Sequence, residues 1–457
     1  MKLNIDRTVR VLQRCLIVLF CCWGLVWFSV RAERKSEFER NILEKSVVYT
    51  ATIPWVVKNW VQLTLAGREH QERLLTPSTD LVPIGELQDV EELNDHYYLL
   101  HYRYLGQHAG RVYLQNIKTG EVAREWEVPL SQIHRDLQAL KKRLNTDFAG
   151  GQIPVNLAQK VTNSIDAIEV NAPLLGEDFS IYFNCESLGF VYKLDEQSRI
   201  AWKSEELSHH SLEADEDGNL WTCSVDLTHP LAREHGFRED AALCLSPSGK
   251  KLHLHSLSTV FREGGLLKTV FASTPSYEWN YGSDPYHLND VLPVKSDGTR
   301  WNKGDLFLSL RHKSTVLQYR PADRSVVWHQ QGPWLAQHDI NLIDEQTISV
   351  FNNNTFLLSE KVEGAGSNIA VHSLVDGSTK FLGDGLFVSA SEGRQTQTDD
   401  GWILVEETNR GVYHFLDAAG NRKCQFFIPY HSNPSNAMNT AWGRLYRKSG
   451  SEFILQE

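Results

Sequence analysis

Methionine is scarce, with two in 457 residues, and positive charge is outnumbered: 46 Lys and Arg stand against 57 Asp and Glu, a formal net charge of -11. So little of the flexible thioether beside 13 Trp leans toward a rigid, aromatic β protein. The acidic balance argues against a nucleic-acid partner, which needs a clustered basic surface. Cysteine is sparse as well. Cys15, Cys21 and Cys22 share one apolar stretch, which leaves Cys185, Cys223, Cys244 and Cys424 without any C-x-x-C spacing. Buried thiols or one disulfide are therefore expected ahead of a metal centre, and nothing calls for a cofactor.

Long apolar runs are missing except for one near the N-terminus. Lys2, Arg7, Arg10 and Arg14 precede an uncharged run from Cys15 to Val30, closed by Arg31. About 16 residues is short of the roughly 20 of a spanning helix, but Val11 and Leu12 extend it and flanking Arg can snorkel. The excess of positive charge before the run predicts a single-pass signal-anchor, residues 1–35, in the cytoplasmic (inner) membrane. The rest of the chain would then lie periplasmic or otherwise outside the cytoplasm. A cleaved signal peptide ending near Val30-Arg31-Ala32 is the alternative. Residues 36–85 read as a helical juxtamembrane linker, with Trp55, Val56, Trp60, Val61 and Leu63 on one apolar face.

From residue 86 to 457 one phrase recurs: strand, tight polar turn, strand. It occurs at Val112–Trp126, Val191–Trp202, Ala242–Leu254, Val316–Trp328, Ala370–Leu382 and Val412–Phe427, with Gly, Asp or Asn in most of the turns. Partner hairpins stand upstream at Glu213–Thr222, Val291–Leu308, Ile340–Val350 and Val388–Val405. Two consecutive hairpins make a four-stranded sheet. The predicted fold is all-β, a six-bladed β-propeller following an N-terminal transmembrane helix and a short helical linker. Leu130–Leu144 reads as a helical insertion, and a strand around Ala441–Tyr446 as the closure of the ring.

In such a ring the first residues of each inner strand face the mouth of the central channel. Residues far apart in sequence can meet there if each holds the same place in its repeat. His210, His287 and His338 open successive inner strands, and Arg311 beside His312 ends a second strand. Three imidazoles could bind a metal, move protons or recognise an anion, with the Arg311 fork as clamp.

Four phrases carry a family resemblance: HLNDV (287–291), SLRHKSTVLQYRPADRSVVW (309–328), QHDINLIDEQTISVFNNN (337–354) and GWILVEETNRGVYHFLDAAG (401–420). From about His209 to Tyr446 the chain resembles the arylsulfotransferase family of bacterial periplasmic enzymes. The resemblance implies a six-bladed propeller with its active site at the channel centre. It implies sulfuryl transfer from phenolic sulfate esters to phenolic acceptors without a nucleotide sulfate donor. The implied route is ping-pong through a sulfohistidine, with further His and an Arg neutralising the sulfuryl oxygens.

His287 and His338 match two of the family's active-site histidines. Their implied roles are proton transfer to the leaving phenolate and hydrogen bonding to the sulfuryl oxygens. Two departures are visible. No Arg stands in Phe351–Phe356, so Arg311 or Arg394 must serve. No His stands in Val388–Gly393, where the family carries its nucleophile. The expectations are thus a membrane-anchored sulfuryl transferase acting on aryl sulfates with phenolic or glycan acceptors, using His287, His338, Arg311 and His210. The alternative is an inactive propeller that binds a partner protein or surface glycan. A His-ligated metal is the third reading.

Overall fold

The structure, a computed structural model, describes residues 81–456 apart from 92, 148–156, 186–187, 231–232, 234–236, 271–283, 355–365, 432–436 and 439–441. The expected signal-anchor and nearly all of the expected linker lie outside the described residues. Among the described residues no helix is long and apolar enough to cross a membrane.

Six antiparallel sheets follow one another as blades. Five of the six predicted hairpins are the outer two strands of a blade, the sixth has one further strand outside it, and the four upstream hairpins are inner pairs. The inner strands, in order from the second blade, are Val170–Leu175, His209–Ala214, Leu288–Pro293, His338–Asp344 and Arg394–Gln397. The first blade takes its inner strand from the other end of the chain. There Arg444–Ser449 pairs antiparallel with Tyr97–Leu100. A second closure uses the N-terminal side, where Leu81–Pro83 lies parallel to Gln425–Phe427 on the rim of the sixth blade. That strand falls inside the stretch read as linker, so the propeller begins earlier than residue 86.

Apolar side chains fill the spaces between sheets, as alternation along each strand requires. The inserted helix, Leu130–Asp147, buries Leu130, Ile133, Leu137, Leu140 and Leu144, a 3–4 spacing that keeps them on one face. At the turn of the third blade Gly249 has φ +79°, and a Cβ there would stand 2.6 Å from the ring of Trp202. Only glycine fits both the left-handed turn and that close approach.

Polar latches cross every seam between blades. Asp240 Oδ2, Asp290 Oδ2 and Asp339 Oδ2 each accept the backbone N–H of the next inner strand, from Leu288, Ile340 and Gln395, all at 2.7 Å. Glu406 accepts from Trp442 and Gly443 at 2.9 and 2.7 Å, Asn184 donates to the carbonyls of His210 and Ser211, and Tyr446 accepts from Leu175 N–H. Each satisfies a backbone group that the irregular strand start would leave buried and unpaired. The four described cysteines are free thiols, so no disulfide contributes.

Candidate active site

The inner strands share a local distortion at their first residues. Ladder register shifts there between Leu288 and Asp290 and between His338 and Ile340, and opposite His209–Leu212 it shifts between Thr222 and Cys223. His210, His287 and Asp339 have φ of +57°, +52° and +49°. A left-handed non-glycine residue at a bulge re-aims its neighbourhood and is concentrated at functional sites. Ala172 at φ +49° repeats the device in another inner strand, and Trp442 at φ +58° repeats it two residues before a further one.

The three predicted histidines come together. The ring of His210 lies 5.2 Å from that of His287 and 6.5 Å from that of His338, centroid to centroid. Trp442 borders both His210 and His338, at 6.5 and 6.2 Å. The ring of His312 lies 4.3 Å from that of His287, tilted by 38°, and His209 lies 4.9 Å from His210. Arg311 is buried in the one-turn segment Arg311–Lys313, and its backbone N–H donates to the carbonyl of His287.

Hydrogen bonds settle the tautomers. His287 Nδ1 donates to Asp284 Oδ2 at 2.7 Å. His338 Nδ1 donates to Asn353 Oδ1 at 2.6 Å, and the amide cannot turn round because its Nδ2 already donates to the carbonyls of Ser389 and Glu392. His209 Nε2 faces the carbonyl of Ser224 at 3.3 Å and must donate, so its Nδ1 accepts from His210 Nδ1 at 2.7 Å. Each of the three central imidazoles therefore carries its proton on Nδ1 and offers a lone pair at Nε2. His338 Nε2 is buried with no hydrogen-bond partner among the described residues, the mark of a group kept for something else.

Electrostatics keeps these rings neutral. Burial, with the Arg311 guanidinium next, pushes His338 down to about 3. Burial, followed by His209, His287 and His338, holds His210 well below the ordinary imidazole value. His287 is also held well below it by burial, partly opposed by Asp284. In this form His338 presents an acceptor, which suits taking a proton better than hydrogen-bonding a sulfuryl oxygen. Arg311 is then the donor suited to an anion.

Arg394 is committed elsewhere. It lies 3.5 Å from Glu213 and 3.6 Å from Asp339, in a buried layer completed by Asp290 and Arg444. Burial, then Glu213 and Asp339, pushes Asp290 up to about 8, and burial pushes Asp339 up to about 6 against the pull of Arg394.

In Val388–Gly393 the hydroxyls of Ser389 and Ser391 both meet Asn409, with no imidazole beside them in the hydrogen-bond pattern. The titratable group of that stretch is Glu392. Burial, then Glu169 and Glu406, raises it to about 7, and Arg311 pulls the other way.

Asp284, His287 and His312 offer ligand atoms within 4.8 Å of one another. Arg238 Nη1, however, stands 3.6 Å from the same Asp284 Oδ2, and Arg311 adjoins His312. Two guanidinium groups oppose a dication and favour an anion.

The sequence profile described as Arylsulfotransferase (ASST) matches residues 172–427, more than half of the chain and the stretch that contains His210, His287, Arg311 and His338. The chain belongs to the arylsulfotransferase family. No curated protein matches it. Solved structures with a similar trace include a protein of unknown function from Bacteroides caccae (9% identity, TM-score 0.44, covering 77% of this chain and 98% of that one). Hydrazine synthase from Kuenenia stuttgartiensis (10%, 0.40, 84% and 98%) and virginiamycin B lyase from Staphylococcus aureus (11%, 0.34, 63% and 83%) are others. At those scores none bears on what this family member does.

Sequence reasoning set His209 beside His210 only as a competitor for the same place, whereas its ring holds the His210 proton. Asp284, Asn353 and Trp442 were not singled out. Asp284 stands three residues before His287 and was open to view; Asn353 and Trp442 meet the site only through the fold.

Proposed function

We propose that this chain transfers a sulfuryl group from an aryl sulfate ester to a phenolic or other hydroxyl acceptor at the centre of the propeller. The observation that carries the reading is the meeting of His210, His287 and His338, each with its Nε2 lone pair unengaged among the described residues, beside Arg311. A sulfate monoester is a compact monoanion, which a guanidinium in a water-poor site is suited to hold. Neutral imidazoles can attack or take a proton at neutral pH. The donor's S–O(aryl) bond breaks with its electron pair leaving on the phenolate, and the acceptor oxygen forms the new S–O bond as it loses its proton.

The test is turnover. Purified soluble domain is expected to release 4-nitrophenol from 4-nitrophenyl sulfate over repeated turnovers only when a second phenol is present and becomes sulfated. His287→Ala should lower this by orders of magnitude. Absence of transfer across several donors and acceptors would refute the reading.

The place of the protein is part of the same proposal. The run Cys15–Val30 anchors it in the cytoplasmic membrane, with the propeller outside. Protease accessibility of the propeller in intact spheroplasts tests this; full protection would contradict it.

A second reading is supported by the absence of His from Val388–Gly393 and by the engagement of Ser389 and Ser391 with Asn409. In it the propeller binds a protein or glycan without catalysis. Partner capture that survives His287→Ala, together with no turnover, would favour it.

A further inference from the structure

The three central lone pairs are not equivalent, because different groups back them. We infer that His287 Nε2 is the nucleophile that carries the sulfuryl group, that Asp284 holds the proton on its Nδ1, and that Arg238 holds Asp284 in place. This rests on the sulfuryl-transfer reading above.

An imidazole that attacks sulfur gains positive charge on its ring, so the group accepting its Nδ1–H decides how well it tolerates the change. For His338 that group is a neutral amide, Asn353. For His210 it is a neutral imidazole, His209, whose Nε2 is 3.6 Å from Asp240. For His287 it is a carboxylate in direct contact, Asp284 at 2.7 Å. Burial raises the Asp284 carboxyl, but Arg238, His287 and His312 outweigh it and keep the group well below its ordinary value, so it is ionised.

The dyad is also rigid. Asp284 Oδ1 accepts the backbone N–H of His287 at 3.2 Å while Oδ2 takes the ring N–H. Arg238 spans Asp284 (Nη1, 3.6 Å) and Asp240 (Nε, 2.6 Å), and Asp240 in turn accepts from Leu288 N–H. Both flanks of His287 are thus fixed by one guanidinium. His287 is reachable as well, with 18% of its side chain exposed, whereas His338 is wholly buried. His338 loses further nucleophilicity to Arg311.

The step balances. The Nε2 lone pair forms an N–S bond as the S–O(aryl) bond breaks, and the phenolate leaves with that electron pair. The ring, now bearing Nε2–SO3⁻ and Nδ1–H, is positive beside the Asp284 carboxylate. The acceptor phenol then attacks sulfur, its proton passes to His210 Nε2 and on to solvent, and the N–S electrons return to His287.

The experiment is a rapid quench with 4-nitrophenyl [35S]sulfate in the absence of acceptor, followed by alkaline peptide mapping. Label is expected on the peptide containing His287 in the wild type and in His210→Gln and His338→Gln, and none in His287→Asn. Asp284→Asn should lower kcat by roughly 100- to 10,000-fold with little change in KM, through loss of the fixed tautomer, and Asp284→Glu should recover part of it. Label on His210 or His338, or acceptor-dependent turnover with no labelled enzyme, overturns the inference and leaves sulfuryl transfer standing. Equal losses in Asp284→Asn and Asp284→Glu, with KM rising alongside, overturn the role given to Asp284. No nitrophenol release from wild type with or without a phenol overturns sulfuryl transfer itself, and the inference with it.

Discussion

Replacing Arg444 by methionine is expected to loosen the closure of the ring more than any surface change. Arg444 sits on the strand that completes the first blade and is fully buried. Its Nη1 and Nη2 each lie 2.9 Å from Glu213 on the inner strand of the third blade, and Nη2 also meets the carbonyl of Leu212. The pair thus ties the C-terminal strand to a strand that follows it by neither sequence nor blade order. Burial raises the Glu213 carboxyl, but Arg444 and Arg394 outweigh it and hold the group below its ordinary value. Removing one partner of such a pair leaves a buried charge short of compensation, at a cost of about 3–5 kcal/mol. Arg394, 3.5 Å from Glu213, offsets part of that and puts Arg444→Met near the lower end. The Arg444→Met/Glu213→Leu double variant should lose clearly less than the sum of the single changes, with a coupling of about 2 kcal/mol or more. Guanidinium unfolding followed by Trp fluorescence at pH 7.5 measures all four proteins. A carboxyl lowered in the folded state stabilises above its unfolded value and loses that contribution as pH falls through the folded one. The gap between wild type and Arg444→Met should therefore narrow in acid. An Arg444→Met cost below about 1 kcal/mol, or additive changes, would refute this account of the closure.

Arg311→Gln is expected to cost about 100- to 1,000-fold in kcat/KM for an aryl sulfate, since it removes the guanidinium whose charge acts on His338; an unchanged value would exclude it as the anion clamp. The imidazoles, depressed by burial, stay unprotonated well below the ordinary imidazole value, so the limb of the pH–rate profile that belongs to them should lie on the acid side of it. Glu392, raised to about 7, should add an inflection near that pH that vanishes in Glu392→Gln; an inflection unchanged in the variant would contradict the assignment. Asp290, raised to about 8, stabilises least when ionised: its favourable contribution is complete below about 4 and lost as pH rises through 8. Asp290→Asn should therefore raise Tm more at pH 9 than at pH 5; a lower Tm at pH 9 would contradict the raised value.

Much of the architecture was legible because hairpins announce themselves locally. Asp376-Gly377 and Asp417–Gly420 between alternating strands specify a turn whatever surrounds them. The histidines were legible by a different route, since His287 and His338 stand at the same place in consecutive repeats. Their partners were less so. His209 and Asp240 meet because their strands flank the same strand of the third blade, and Asn353 reaches His338 only because a second strand returns beside the first. Positive φ at His210 and His287 has no sequence signal, because Gly and Asn are the usual bearers of that conformation. Trp442 enters the site only when the ring closes. The arginine assignment illustrates the limit: Arg311 and Arg394 looked interchangeable in sequence, and only burial beside Glu213 and Asp339 shows Arg394 to be occupied.

The most direct measurement is a crystal structure with a non-transferable aryl sulfate analogue, such as a benzylic sulfonate. Sulfuryl transfer at the propeller centre predicts the sulfonate among His210, His287 and His338. Its sulfur should stand roughly 3–3.5 Å from His287 Nε2, with its oxygens toward Arg311. A sulfonate bound elsewhere, or a vacant centre at saturating analogue, would contradict it.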